Sequence, residues 1–409
     1  MTSYVGTVSR GIIAPIFRQG DDLSQIIPEL LITAAKEDGF EIKDRDVLAI
    51  TESIVARTQG NYATTEDIAA DVRTKTNGAH TIGLTFPILS RNRFSVLLKG
   101  IAKACAKVVI QLSLPSDEVG NHLLDPELLV ESNINPWTET LTEADFVKNF
   151  GESKHPFTGI NYYQFYRELV EAAGAECEII FANNVKAIVD KADAIITCDI
   201  HTRARHKKLL RQATDKIVLG LDDILTTPAE GRGHNPEFGL LGSNKADDDK
   251  VKLFPYNSQP LVDAIAKRLH DLTGKHVEVM IYGDGAFKDP VGKIWELADP
   301  VVSPAYTKGL DGTPFEMKLK YLADSEFKDL NDQELAYAIY QKIKDKHANA
   351  DDSHPTAFGG ETEKMEGTTP RRLTDLLGSL CDLTSGSGDK GTPIVYIQGY
   401  FNNWSDAQN

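Results

Sequence analysis

The feature that most constrains this chain is a run of short, unbroken apolar segments separated by helix-like ones between residues 107 and 221. "KVVIQLS", "CEIIFA", "AIITCDI" and "KIVLGL" have no polar alternation, so both faces of each must be covered. Between them stand "YYQFYRELVEAAGA", "NNVKAIVDKA" and "TRARHKKLLRQA", each long enough for a helix. Strands buried on both faces and alternating with helices predict a parallel sheet with right-handed crossovers. We therefore expect a doubly wound α/β lobe over residues 85–228. Ligands of such sheets bind at the carboxyl ends of the strands. By position alone this marks Asp199, His201, Thr202, Asp222 and Asp223. The strands are not followed by the GxGxxG of a dinucleotide fold.

The flanking segments have a different pattern. "VSRGIIAPIF" reads as a strand, "GDDLSQIIPELLITAAKEDG" as a helix stopped at Gly39, and "DVLAITESIVA" as a buried strand and turn. Later, "SQPLVDAIAKRLHDLTGK" predicts a helix capped by Ser258 and stopped at Gly274, followed at once by a strand over Val277–Tyr282. Residues 325–347 read as one or two polar-faced helices, and the final segment as helix, Gly/Ser loop and strand "IVYIQGY". A net charge of −16 argues against nucleic acid as a partner. Four scattered cysteines without a CxxC pair indicate buried thiols of a reducing compartment. No apolar run approaches the roughly 20 residues of a membrane helix, and the opening segment lacks a signal-peptide core. The expected location is the cytoplasm.

Four stretches carry candidate chemistry. Asp284 ends a buried strand between Gly283 and Gly285, with Lys288 and Asp289 close behind. It is either a plain turn residue or a ligand of a hard divalent cation, with the glycines making room for phosphate. "TSGSGDKGTP" is either a flexible linker or an anion nest of backbone N–H groups with Lys390 as counter-charge. It joins a helix to a strand, which is the wrong order for a Walker loop. "GRGHNPEFGLLGSN" offers Arg232 and His234, residues of a solvated loop or of a phosphate or carboxylate contact. "DIHTRARHKK" places His201 and His206 at the start of a basic helix, and a zinc site there lacks an adjacent third ligand.

In order along the chain, three segments resemble the gamma-glutamyl ligases that add glutamate to the deazaflavin coenzyme F420. "GIIAPIFRQGDDL" with "DRDVLAITESIVARTQGN" is similar to the family's opening strand, helix start and I-T-E signature. "FGLLGSN" followed by "LTGKHVEVMIYGDG" resembles its D-x-S-N loop and strand aspartate. "LTSGSGDKGTPIVYIQGY" resembles its terminal glycine-rich loop and strand. The resemblance implies an α+β ligase core of mixed and antiparallel sheets, formed by residues 1–84 and 229–409, into which the α/β lobe is inserted, with a helical insertion at about 310–365.

It also implies an activity: GTP or ATP, with magnesium or manganese, phosphorylates an acceptor carboxylate, and the amine of L-glutamate displaces the phosphate to leave an amide. Position by position it assigns Ala14, Pro15, Ile16, Phe17, Glu52, Ser53, Arg57, Asn244, Gly386, Ser387, Gly388, Lys390 and Gly391 to the nucleotide. Asp284 and Asp289 are then the candidate metal ligands, and Asp284, Lys288 and Arg232 the candidate catalytic residues. A homodimer is the implied assembly. Three positions depart from the pattern: Leu241 stands where the family has a metal-binding aspartate, Gly285 where a hydroxyl or acidic residue follows the strand aspartate, and Ser387 where the last loop has an acidic or amide residue. Asp222, Asp223, Asp247 or Asp289 would have to make up a lost carboxylate. Trp137, Tyr162, Tyr163 and Phe165 offer rings for stacking an acceptor, although core packing is the commoner use of such side chains. Two other functions stay open: a ligand-binding module that keeps the scaffold without turnover, and a nucleotide-binding transferase working from the α/β lobe.

Overall fold

The computed structural model describes residues 5–155, 158–283, 286–288, 295–297, 303–311, 324–331, 372–386 and 390–401, with pairs of residues at 334–335, 337–338 and 341–342. One five-stranded sheet has the order β1 (Val8–Ile12), β16 (Ile394–Gln398), β2 (Val47–Thr51), β12 (Glu278–Tyr282), β15 (Ala305–Tyr306). β16 runs antiparallel to both β1 and β2, while β12 is parallel to β2 and antiparallel to β15. The sheet is therefore mixed, as expected of the core. Its two faces are both covered. Leu48, Ile50, Val279, Ile281 and Tyr396 pack under helices α1 (Leu23–Glu37) and α9 (Ser258–Thr273). Val47, Ala49, Met280, Tyr282 and Val395 pack under α10 (Leu373–Ser385).

Local chemistry sets these boundaries. The Asp22 side chain accepts the Ser24 N–H at 3.0 Å and starts α1. The side chain that should start α9 does not: Ser258 is the first helical residue, its cap is Asn257 at φ 50°, and no side-chain cap bond forms. Gly274, at φ 70°, ends that helix as expected. Residues 52–59, read from sequence as a turn, form helix α2 (Glu52–Gln59) directly after β2.

A second sheet has six strands in the order β6 (Leu141–Thr142), β7 (Glu176–Phe181), β5 (Lys107–Leu112), β4 (Thr81–Thr85), β8 (Ala194–Thr197), β9 (Ile217–Gly220). All neighbouring pairs from β7 to β9 are parallel, and only β6 at one edge is antiparallel. Its core on one side is closed by α4 (Ser95–Ala102) and α7 (Tyr162–Ala172), with Phe94 and Tyr166 at its centre. On the other side α8 (Arg203–Ala213) and the 3₁₀ turn Val185–Lys191 cover Val109, Ile180, Ile195 and Val218. The segment "NNVKAIVDKA" thus tightens into a 3₁₀ turn where a helix was expected. Short helices α5 (Pro126–Glu131) and α6 (Glu143–Phe150) lie before α7 in the chain, and Phe146 of α6 stacks on Phe181.

Two smaller sheets complete the described strands: β10 (Asn244–Asp247), β11 (Lys250–Lys252) and β3 (Tyr62–Thr64), and the pair β13 (Ala286–Lys288) and β14 (Trp295–Leu297). α3 (Thr65–Lys75) follows β3, started by a reciprocal Thr64–Asp67 cap. The apolar core beneath α4 continues through Ile68 and Val72 of α3 to Leu240, Leu241, Val251 and Leu253. The four cysteines are free thiols. Among the described residues, no helix is long and apolar enough to cross a membrane.

Candidate functional site

Because β16 is antiparallel to both β1 and β2, the carboxyl ends of β1, β2 and β12 lie at one edge of the five-stranded sheet, beside the start of β16. That edge gathers segments far apart in sequence. The Ala14 N–H donates to Gly391 O at 3.2 Å, and the Thr51 N–H donates to Pro393 O at 3.0 Å. A Cβ added at Gly11 would stand 2.8 Å from the Thr392 Cβ, so glycine is what lets β1 lie this close to the terminal loop. Tyr282, the last residue of β12, is paired with Thr51, so β12 ends beside the start of α2 at Glu52.

Glu52 opens α2 in a buried position and accepts the Thr51 hydroxyl at 2.8 Å. The Lys252 ammonium donates a short hydrogen bond to the Ser53 hydroxyl, and Asn244 is the cross-strand partner of Lys252 in the β10–β11 hairpin. Burial pushes the Lys252 amine below the usual lysine range and the nearby Arg57 adds to this, while Glu52 opposes it. Arg93 is also depressed by burial, opposed by Glu52 and Asp382. Burial raises the Tyr282 hydroxyl, which Ser385 partly offsets. Lys252 and Arg93 thus both feel the Glu52 carboxylate, Arg93 also feels Asp382, and the exposed Arg57 adds positive charge near Lys252. Positive charge held at a partly desolvated strand end suits the phosphates of a nucleotide.

The residues assigned from sequence fall into three groups. Ala14, Glu52, Ser53, Asn244 and Gly391 come together as described. Of their neighbours, Pro15, Ile16 and Arg57 are exposed, and Phe17 is buried in the core, leaving only its backbone to a ligand. Gly386 ends α10 at φ 58°, with the stem of Lys390 against it. Asp284, Asp289, Ser387 and Gly388 lie outside the described residues, and Lys288 is placed only as the end of β13.

The rest stand elsewhere. Arg232 pairs with Asp71 at 3.3 Å and donates to Thr227 O. Asp222 and Asp223 pair with Lys207, and Asp247 is exposed on β10. At the carboxyl ends of the six-stranded sheet, Asp199 accepts from the Thr202 hydroxyl at 2.7 Å and bonds His206 at 2.9 Å, while Glu118 accepts the backbone N–H groups of Ile200, His201 and Thr202. Tyr162 and Tyr163 are core residues, Phe165 packs against them, and Trp137 is exposed.

Leu241 is 2 % exposed within the largest apolar core, and it lines a narrow cleft with Ile88, Phe94, Leu97 and Leu240. Its side chain has no oxygen to offer a cation. Among the described residues, no group of three His, Cys, Asp or Glu side chains gathers as metal ligands. Glu52 and Asp382 are carboxylates in the described part of the site, and the candidate ligands Asp284 and Asp289 lie outside the described residues. Sequence reasoning missed Lys252 and Arg93. Both had weak signals: alternation in "KVKLF", and the basic "RNR" shortly after an apolar strand.

With this geometry in place, comparison with protein families adds one finding. The model of the family described as F420-0:gamma-glutamyl ligase matches residues 11–399, nearly the whole chain. That range includes the six-stranded sheet as well as the five-stranded one. Comparison with curated proteins finds no match.

Proposed function

The chain belongs to the F420-0:gamma-glutamyl ligase family, and from that premise we propose that it joins glutamate to a carboxylate acceptor through an acyl phosphate made from GTP or ATP. One acceptor oxygen attacks the terminal phosphorus, and the bond to the nucleoside diphosphate breaks. The amine nitrogen then attacks the acyl carbon, phosphate leaves with the C–O electron pair, and loss of a proton from nitrogen yields the amide. A carboxylate is a poor electrophile, and phosphorylation supplies its leaving group.

The observation that carries this reading is the meeting of four distant segments at one sheet edge: Ala14 with Gly391, Thr51 with Pro393, Ser53 with Lys252, and Asn244 across from Lys252. Lys252 and Arg57 hold the phosphates by charge. Backbone N–H groups of the terminal loop beside Gly391 supply further donors. Glu52, fixed by the Thr51 hydroxyl, would hold magnesium or manganese together with Asp284, and that ion would screen the phosphate charge. The alternative, a silent binding module, rests on the carboxylate missing at position 241, and turnover in the experiment below separates the two readings.

The test is acyl-phosphate trapping. The protein is incubated with coenzyme F420-0, GTP or ATP, magnesium or manganese, and hydroxylamine in place of glutamate. The reading expects a hydroxamate of the acceptor that needs both nucleotide and metal, and glutamyl amide when glutamate replaces hydroxylamine. Nucleotide binding with no hydroxamate, from F420-0 or from any carboxylate that co-purifies with the protein, would overturn it.

A further inference from the structure

The winding of the six-stranded sheet reverses between β4 and β8: β5 and β7 are added on one side of β4, β8 and β9 on the other. The crevice outside the carboxyl ends of such a strand pair is where open α/β sheets take their ligands. Both strand ends are unusual here. Phe86, directly after β4, holds φ 51°, a left-handed conformation that costs an aromatic residue energy, and its ring packs 5.0 Å from that of His206. Thr85 and Asp199 are 0 % and 1 % exposed, and Thr85 Oγ1 and Asp199 Oδ1 have no hydrogen-bond partner among the described residues.

Glu118 closes this crevice. It comes from the loop after β5, and because β4 lies between β5 and β8, its side chain spans the end of β4 to reach the segment after β8. Its carboxylate accepts the N–H groups of Ile200, of His201 at 3.1 Å and of Thr202 at 3.3 Å, the amides that lead into α8. Converging N–H groups at a helix start form an anion site, and here the anion is part of the chain itself. Asp199 stands beside it: the Thr202 hydroxyl lies 2.7 Å from Asp199 Oδ2 and 3.2 Å from Glu118 Oε2. One hydroxyl carries one proton, so it serves only one of the two carboxylates at a time. His206 Nδ1 bonds the same Asp199 Oδ2 at 2.9 Å, which leaves Oδ1 unserved. A buried carboxylate oxygen of this kind calls for a donor, and a charged donor serves it best.

We propose that this crevice binds a free α-amino acid. The ligand's carboxylate displaces that of Glu118 from the amides of residues 200–202, and its ammonium donates to Asp199 Oδ1. The anion nest and the unserved carboxylate oxygen are bridged by the Thr202 hydroxyl, a gap that one α-carbon with its two charged groups can span. Glu118 is half-buried on an irregular loop, so its side chain has solvent to move into. It acts as a built-in competitor that keeps the nest filled until a ligand arrives. This site is separate from that of the five-stranded sheet, and it does not depend on the ligase reading.

The test titrates the full chain by calorimetry with each common protein amino acid, and with acetate and glutarate as carboxylates that lack an ammonium. It is repeated on Glu118→Ala and Asp199→Asn, with thermal unfolding without ligand followed in parallel. The proposal expects saturable binding of at least one amino acid, with the plain carboxylates at least about 10-fold weaker. Glu118→Ala removes the competitor and should raise affinity by about 5-fold. Asp199→Asn should lower it by about 10-fold or more. Should Asp199→Asn fail to fold, the sign of the change in Glu118→Ala decides. No binding to either the wild type or Glu118→Ala, or a lower unfolding midpoint in Glu118→Ala with unchanged affinity, would make Glu118 a structural tie and overturn the proposal. Binding indifferent to both substitutions would also overturn it, since glutamate held at the five-stranded sheet would respond to neither. Hydroxamate formation tests the ligase reading by itself, so the two fail separately.

Discussion

Leu241→Asp is expected to destabilise the protein severely and to add nothing to metal binding. The side chain is 2 % exposed and its neighbours are Ile88, Phe94, Leu97 and Leu240. A carboxylate placed there loses its hydration without gaining a dedicated partner, at a cost of about 3–5 kcal/mol, a large part of the total stability of a typical domain. Arg93 lines the same cleft but already serves Glu52 and Asp382, so any rescue by it would be partial. The unfolding midpoint should drop by about 10 °C or more. Leu241→Met, which conserves volume, should cost less than about 1.5 kcal/mol. Thermal unfolding with and without manganese separates the cases. A stable Leu241→Asp protein that binds manganese more tightly would mean that this position faces the site after all.

The second large effect is expected at Asp284. Asp284→Asn should lower metal-dependent turnover by at least about 100-fold and weaken manganese binding, while the unfolding midpoint stays within a few degrees of wild type. The reason lies in the register of the sheet. β12 is parallel to β2, and Tyr282 pairs with Thr51, so the chain leaves β12 at the edge where Glu52 is held. Amide for carboxylate keeps the volume and removes one negative charge from a cation's ligands. Manganese binding followed by electron paramagnetic resonance gives a readout independent of turnover. Wild-type manganese affinity and wild-type turnover in the variant would take Asp284 out of the site.

Much of the architecture was legible because burial on two faces writes itself into composition. "AIITCDI" contains no alternation, and its strand β8 is buried throughout between parallel neighbours β4 and β9. The α2 helix was missed because Ile54 and Val55 are β-branched and only Thr51–Ser53 separate them from the apolar run of β2, which reads as a short turn. At α9 the usual preference for a serine cap pointed one residue too far along, because Asn257 takes the left-handed conformation that the turn requires.

The site was legible only in part, and the division is physical. Residues on motif-bearing segments, such as Glu52 and Gly391, could be assigned because their segments resemble a family. Lys252 meets Ser53 across 199 positions of sequence, so no local pattern announces that contact. At Leu241 the motif position suggests a missing ligand, and the structure adds that the leucine packs in the apolar core.

The central claim is that one nucleotide site is assembled at the edge where β1, β2 and β12 end and β16 begins. Its most direct test is a crystal structure of the full chain with manganese and a non-hydrolysable GTP analogue, read at the manganese anomalous edge. The account predicts phosphate density against Lys252 and Ser53, and an anomalous peak at Glu52 and Asp284. Phosphate and manganese at the carboxyl ends of the six-stranded sheet instead, beside Asp199 and Thr202, would contradict it.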